Sequence, residues 1–107
     1  MQYCKINNTN YPAMAFNGRM ADPDWDFRET ILIHLPMTYE QAIQTFIDGR
    51  PWSIVEVNDE TMEETEFDNS DFSLAGDITD HRDGTVSVKM GKLTDLEEAY
   101  LLLYGGE

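Results

Sequence analysis

Residues 72–92 read FSLAGDITDHRDGTVSVKMGK, and the fold follows from how this stretch turns back on itself. Phe72, Leu74, Gly76 and Ile78 alternate on one arm, and Val86, Val88 and Met90 on the other. Side chains on a strand point to opposite faces with a period of two, so each set lines one face. The loop decides whether the two faces coincide. A two-residue Asp83-Gly84 loop would set Ile78 opposite Lys89 and Thr79 opposite Val88, burying an ammonium or exposing two valines. A three-residue loop, Arg82-Asp83-Gly84, sets Ile78 opposite Val88 and Gly76 opposite Met90, so the apolar residues share a face. Such a loop needs a positive φ in its last place, where Gly84 stands. A slip of one residue would flip every side chain, so hydrophobic parity selects the three-residue loop.

Outward from the hairpin, Phe27 to Leu35 is a β-branched run closed by Pro36, with Ile31, Ile33 and Leu35 on one face and Thr30, Leu32 and His34 on the other. It reads as a strand. Thr38 to Asp48 reads as a helix. Thr38 and Gln41 have capping-box spacing, Met37 and Ala42 are placed as a hydrophobic staple, and Tyr39, Ala42, Ile43, Phe46 and Ile47 form one apolar stripe. Gly49 supplies the left-handed stop and Pro51 bars continuation. Trp52 to Val57 is a further strand. Thr94 and Glu97 make a second capping box, opening a helix to Tyr104 that Gly105-Gly106 ends. Leu96, Ala99, Tyr100 and Leu103 are its expected core stripe; Leu101, Leu102 and Tyr104 extend the apolar surface beyond one sheet face. They are the expected oligomer interface, with the N-terminal loop as the other candidate cover. Residues 1–26 carry scattered apolar anchors and turn signals at Tyr11-Pro12 and Asn17-Gly18, which suggests a short strand near residues 13–16 within an ordered loop. The whole, residues 1–107, is expected to be one α+β domain: a small, mostly antiparallel sheet of four to five strands, covered on one face by two helices.

The chain has 107 residues, 41% of them apolar, enough for a core without disulfide or metal. Its single cysteine, Cys4, allows no internal disulfide. The start, MQYCKINNTN, lacks the basic end and apolar run of a secretory leader, and no apolar stretch approaches the ~18 residues of a membrane span. A cytoplasmic location and no membrane contact are expected. Twenty-one acids against seven bases give a net charge of −14, where solubility asks for a magnitude of roughly 2–8. Such a field repels nucleic acid and speeds encounter with basic surfaces.

The chemistry-bearing residues are weighed one cluster at a time. Asp77, Asp80, His81 and Asp83 surround the hairpin turn and could hold a divalent cation, but Asp is an ordinary turn former and turn chemistry is the stronger reading. Asp22, Asp24 and Asp26 open like an EF-hand loop; Phe27 and Ile33 then stand where that loop needs Gly and Glu. His34, inside a strand, reads as a structural histidine. No nucleophile motif, phosphate-cradling glycine loop or zinc spacing is present. No catalytic residue, metal or cofactor is expected, and the protein is read as a non-enzyme.

The segment DETMEETEFDNSD, residues 59–71, holds seven acids and no base, half of the net charge. It reads either as a solvated loop or ragged strand extension, or as a surface that imitates a polyanion. In the second reading Glu60, Glu63, Glu64, Glu66, Asp68 and Asp71 occupy a groove built for phosphates, and Phe67 is the aromatic anchor.

TYEQAIQTFIDGRPWSIV (38–55) together with AGDITDHRDGTVSVKMGK (75–92) resembles small acidic proteins encoded by phages and prophages of Firmicutes-type bacteria. The resemblance covers roughly residues 27–104 and carries no active-site residues. It implies an inhibitor of a host nucleic-acid-handling system, of the anti-CRISPR kind, whose partner is a basic nucleic-acid-binding protein such as a CRISPR effector. The competing expectations are a virion or assembly accessory protein forming homo-oligomers, and a binder of a small defence-signalling nucleotide, for which only Arg28, Arg50, Arg82, Lys89 and Lys92 offer cations.

Overall fold

A computed structural model describes residues 1–104, the side chains of residues 18 and 19 excepted. Eight strands and two helices follow one another as β1 (Gln2–Ile6), β2 (Thr9–Ala13), β3 (Ala15–Asp22), β4 (Arg28–Leu35), α1 (Tyr39–Thr45), β5 (Trp52–Val57), β6 (Glu64–Asp68), β7 (Leu74–Asp80), β8 (Val86–Gly91) and α2 (Asp95–Tyr104), with a short 3₁₀ turn at Pro23–Trp25. The α+β class with a core of mostly sheet is what the sequence led us to expect. The strands, however, divide into two four-stranded sheets, β2-β1-β5-β6 and β3-β4-β8-β7, rather than one. Every pairing among the described residues is antiparallel.

The hairpin β7–β8 has the three-residue loop. Ile78 stands opposite Val88 and Asp80 opposite Val86, the His81 amide donates to Thr85 O at 3.2 Å, and Gly84 has φ +88°. The lower half differs from expectation. A bulge after Ala75 places Ala75, not Gly76, opposite Met90; the extra residue shifts the strand by one and puts Leu74 opposite Gly91.

The N-terminal region is three strands, not a loop with a short strand. Ile6 pairs with Thr9, and the two residues between them, Asn7 (φ 53°) and Asn8 (φ 65°), are both left-handed. That is the primed two-residue turn whose twist suits a hairpin. Only Met14 separates β2 from β3, and its amide donates to His34 O at 2.7 Å, so the chain passes from one sheet to the other through a single corner.

The core draws on both sheets and on α1. Cys4, Ile6 and Trp52 come from the first sheet, Ile31, Ile33, Leu35, Val86, Val88 and Met90 from the second, and Met37, Ala42, Phe46 and Phe72 join them. The capping box of α1 forms as read, with Thr38 and Gln41 bonded both ways. The helix is shorter than expected: Phe46 is already extended, and of its stripe only Ala42 and Phe46 are buried, while Tyr39, Ile43 and Ile47 stay half-exposed. Gly49 is left-handed at φ +79°, in the turn beyond the helix. The capping box of α2 also forms, Thr94 N donating to Glu97 Oε1 at 2.9 Å and Glu97 N to Thr94 Oγ1 at 3.2 Å. Yet α2 buries no residue, so it does not cover a sheet face. The glycines expected to end it, Gly105 and Gly106, lie outside the described residues.

Candidate partner-binding surfaces

The acidic run forms the second arm of the β5–β6 hairpin. Asn58 organises the connection: its Oδ1 accepts from Glu60 N at 2.9 Å and Thr61 N at 3.2 Å, and Met62 turns back with φ 61°. β6 is an outer strand of its sheet, and all five of its residues are exposed. Its register sets Asp68 opposite Ser53, Glu66 opposite Val55 and Glu64 opposite Val57, with Phe67 opposite Ile54. Because Cys4 pairs with Ile54 and Ile6 with Trp52, the Ile54 face is the core face. Glu64, Glu66 and Asp68 therefore line the outer face in a row, whereas Phe67, 48% exposed, belongs to the opposite one. The pairing of β6 thus sets Phe67 on the face opposite the acids, so, contrary to expectation, it does not stand among them as their anchor.

The fold also brings bases to acids that have none nearby in sequence. Lys5 Nζ reaches Glu66 Oε1 at 3.2 Å, the terminal ammonium reaches Asp59 at 3.5 Å, and Lys92 lies 3.7 Å from Asp71. Asp68 accepts from both the amide and the hydroxyl of Ser70, which hold its carboxyl below the usual range. Among the described residues Glu60, Glu63 and Glu64 take part in no ion pair. These three, flanked by Glu66 and Asp68, are the uncompensated part of the row.

The second surface is α2. Its attachment to the body is Arg28, a residue the sequence offered only as a dispersed cation. Arg28 is 4% exposed and donates to Glu97 through both ends of its guanidinium, at 2.7 and 3.0 Å, and to Lys92 O at 3.1 Å. Asp26 adds a longer contact at 3.6 Å, and the Trp25 ring lies 4.8 Å from the guanidinium carbon. The guanidinium, with Thr94 helping, holds the Glu97 carboxyl down at about 2; the pair raises Arg28 in turn. Trp25 rests on bare backbone: a Cβ on Gly76 would meet its ring at 2.6 Å and one on Gly91 at 2.7 Å. Asp22, bonded to Lys89 at 2.6 Å, fixes the start of the same turn and is itself held low by that lysine.

With Glu97 turned to Arg28, the stripe expected to be core faces solvent. Leu96 is 82% exposed, Tyr100 62% and Leu103 74%. The residues expected as an oligomer interface, Leu101, Leu102 and Tyr104, are all exposed, Leu101 the least of the helix's large apolar side chains.

The turn residues do turn chemistry. Asp80 Oδ1 accepts from Arg82 N at 2.9 Å, and Asp83 Oδ1 accepts from Thr85 N and Oγ1, which lowers its carboxyl. His34 Nε2 lies 3.0 Å from Thr85 Oγ1, and His81 Nε2 2.7 Å from Ser87 Oγ; their rings meet edge to face at 5.2 Å. Both imidazoles are thus tied to hydroxyls of β8 or its turn. Among the described residues no three of His, Cys, Asp and Glu are grouped to hold one metal ion, and no helix is long and apolar enough to cross a membrane. No family model, no curated protein and no solved structure matches the chain.

Proposed function

We propose that the chain is an inhibitor that binds a basic, nucleic-acid-handling protein through the acidic edge formed by β6 and the loop before it. The observation that carries this reading is the row Glu64, Glu66, Asp68 on one face of an exposed outer strand, continued by Glu60 and Glu63. Two residues of antiparallel strand advance about 6.8 Å, whereas one DNA strand carries a phosphate per ~3.4 Å of axis. The row therefore has about half the linear charge density of a nucleic-acid strand, and the loop acids raise it. In a groove lined by Arg and Lys, such carboxylates make charge-assisted bonds and release the counterions that phosphates would release. The resemblance to phage-encoded proteins makes a CRISPR effector the kind of partner, and its nucleic-acid channel the kind of groove.

The test starts with affinity capture from the host, followed by kinetics with the captured partner. Affinity should fall steeply with salt, and nucleic acid should compete. Glu60→Gln, Glu63→Gln, Glu64→Gln and Glu66→Gln combined should slow association by about tenfold or more. Only Glu66 of the four has an ion-pair partner in the fold, a surface contact worth less than about 1 kcal/mol, so folding should be unaffected. Phe67→Ala should matter only where the partner wraps around the strand to its other face. Undiminished binding by the four-acid variant would leave the row a solvated edge.

A further inference from the structure

We infer that α2 is a self-association element, pairing antiparallel with α2 of a second copy through the stripe Leu96, Ala99, Tyr100, Leu103 and Tyr104. This is independent of the acidic edge. The stripe recurs at i, i+3, i+4, i+7 and i+8, the pattern of a helix with one buried face, and a capping box fixes where the helix begins. Among the described residues of the single chain nothing fills that role. Glu97 binds Arg28, and Leu101, one turn on from Glu97, is the least exposed of the helix's large apolar residues at 47%; that side faces the body and the stripe is turned away from it.

Area and charge select the occupant. A leucine side chain offers roughly 150 Å² and a tyrosine roughly 200 Å². At the observed exposures, the four large stripe residues present about 500 Å². Two copies would bury roughly 1,000 Å², the size of a weak specific interface. The stripe is at the upper end of the roughly 300–600 Å² usual for a monomer's largest apolar patch, one that is often functional. The acids of α2, Asp95, Glu97 and Glu98, all stand in its first turn. A parallel pair would stack these first turns side by side. An antiparallel pair centred on Tyr100 sets Leu96 against Tyr104 of the second copy and Tyr100 against Tyr100. It also offsets the two acidic turns, centred near residue 97, by about six residues or about 9 Å along the axis, which together with the roughly 8–10 Å between helix axes puts them beyond the ~8 Å screening length of physiological salt. Ala99, beside Tyr100, lets the helices approach closely. Each body carries most of a net charge of −14, so the association is opposed by repulsion that salt weakens.

Sedimentation equilibrium of the full chain decides the matter. A dimer with a dissociation constant on the order of micromolar is expected, and it should tighten as salt rises, opposite in sign to contact through the acidic edge. Leu96→Glu with Leu103→Glu should weaken it by at least about tenfold, with unchanged far-ultraviolet circular dichroism because neither residue is buried. Tyr100→Cys should form a disulfide-linked dimer on oxidation, and Leu96→Cys should not; native Cys4 is 0% exposed and stays out of the reaction. A monomer at every concentration overturns the proposal, because the stripe would then be free or meant for a different protein. So does a dimer indifferent to the double variant, or equal cross-linking from position 96, which would mean a parallel pair.

Discussion

Glu97→Gln isolates one charge in the contact that anchors α2. Glutamine keeps a carbonyl oxygen for the Thr94 amide, so the capping box survives, and it retains one acceptor for Arg28. What disappears is the counter-charge to a guanidinium whose side chain is 3% exposed. Moving a carboxyl from 4.5 to about 2 corresponds to about 3 kcal/mol at 1.36 kcal/mol per pH unit. The Glu97 side chain is 40% exposed, and solvent screening cuts that to about 1–2 kcal/mol. The expected loss is at the upper end of this range, because Arg28 Nε is already buried without a hydrogen-bond partner and the substitution removes half of the bidentate contact. The pH dependence gives the decisive sign. A carboxyl whose folded pKa is depressed stabilises fully above its unfolded value of about 4.5 and loses that contribution as pH falls towards 2. Urea titrations of both proteins, followed by circular dichroism at steps from pH 7 to pH 2.5, should show a gap of 1–2 kcal/mol that narrows below pH 4.5. Other depressed carboxyls, those of Asp22, Asp68 and Asp83, cancel in the difference. A gap that is absent at neutral pH, or constant across the range, would refute an ionic anchor.

Gly91→Ala should drive a methyl into the Trp25 ring and Arg28 Cδ, at 2.7 and 2.9 Å, costing about 1–3 kcal/mol and shifting the emission of Trp25 to longer wavelength; unchanged stability and emission would mean that Trp25 does not rest there. Gly84→Val should cost about 1–2 kcal/mol although no atom lies within 4 Å of the new Cβ. The whole effect is then the left-handed backbone, and Gly84→Asn should recover much of it in the same denaturant melt. Cys4, whose thiol burial pushes up to about 12, should resist iodoacetamide at pH 8 in native protein and react readily in urea; rapid native labelling would contradict the packing of β1.

The hairpin loop, β4, β5 and both capping boxes were legible because each is fixed within about twenty residues, by parity, a β-branched run or a cap. The N-terminal strands were readable in part: Cys4 and Ile6 alternate with Tyr3 and Lys5, and Asn7-Asn8 is a turn pair that tolerates positive φ. They were missed because β2 and β3 show little apolar alternation. The division into two sheets was not legible, since it depends on β1 choosing β5, a pairing that no local pattern encodes. The bulge after Ala75 lies where Trp25 sits against Gly76, a contact across 51 positions of chain that no local pattern encodes. The stripe Leu96, Ala99, Tyr100 and Leu103 was read as packing on the sheet and does not, because the Arg28–Glu97 pair that turns the other side of α2 to the body joins residues 69 positions apart, again beyond any local pattern. In the acidic run the charges were plain. The face they share, the displacement of Phe67 to the other face, and the arrival of Lys5 and Lys92 all required the pairing of β6.

The central place of β1 in its sheet bears on the order in which the protein can be made. β1 leaves the ribosome just ahead of β2, yet its other neighbour includes Glu56, the residue 54 positions on that accepts from Gln2. Until β5 emerges, the β1–β2 hairpin carries an unpaired ladder and the uncovered side chains of Cys4 and Ile6. The second sheet can begin earlier, since β3 and β4 are adjacent in the chain, and Met14 ties that growing pair to the waiting hairpin. Pairing strands this far apart in sequence is slow compared with forming a local hairpin. Nascent chains halted before residue 52 should therefore present a sticky, half-built edge, and the late arrival of β5 is the step at which synthesis and folding of this protein are coupled.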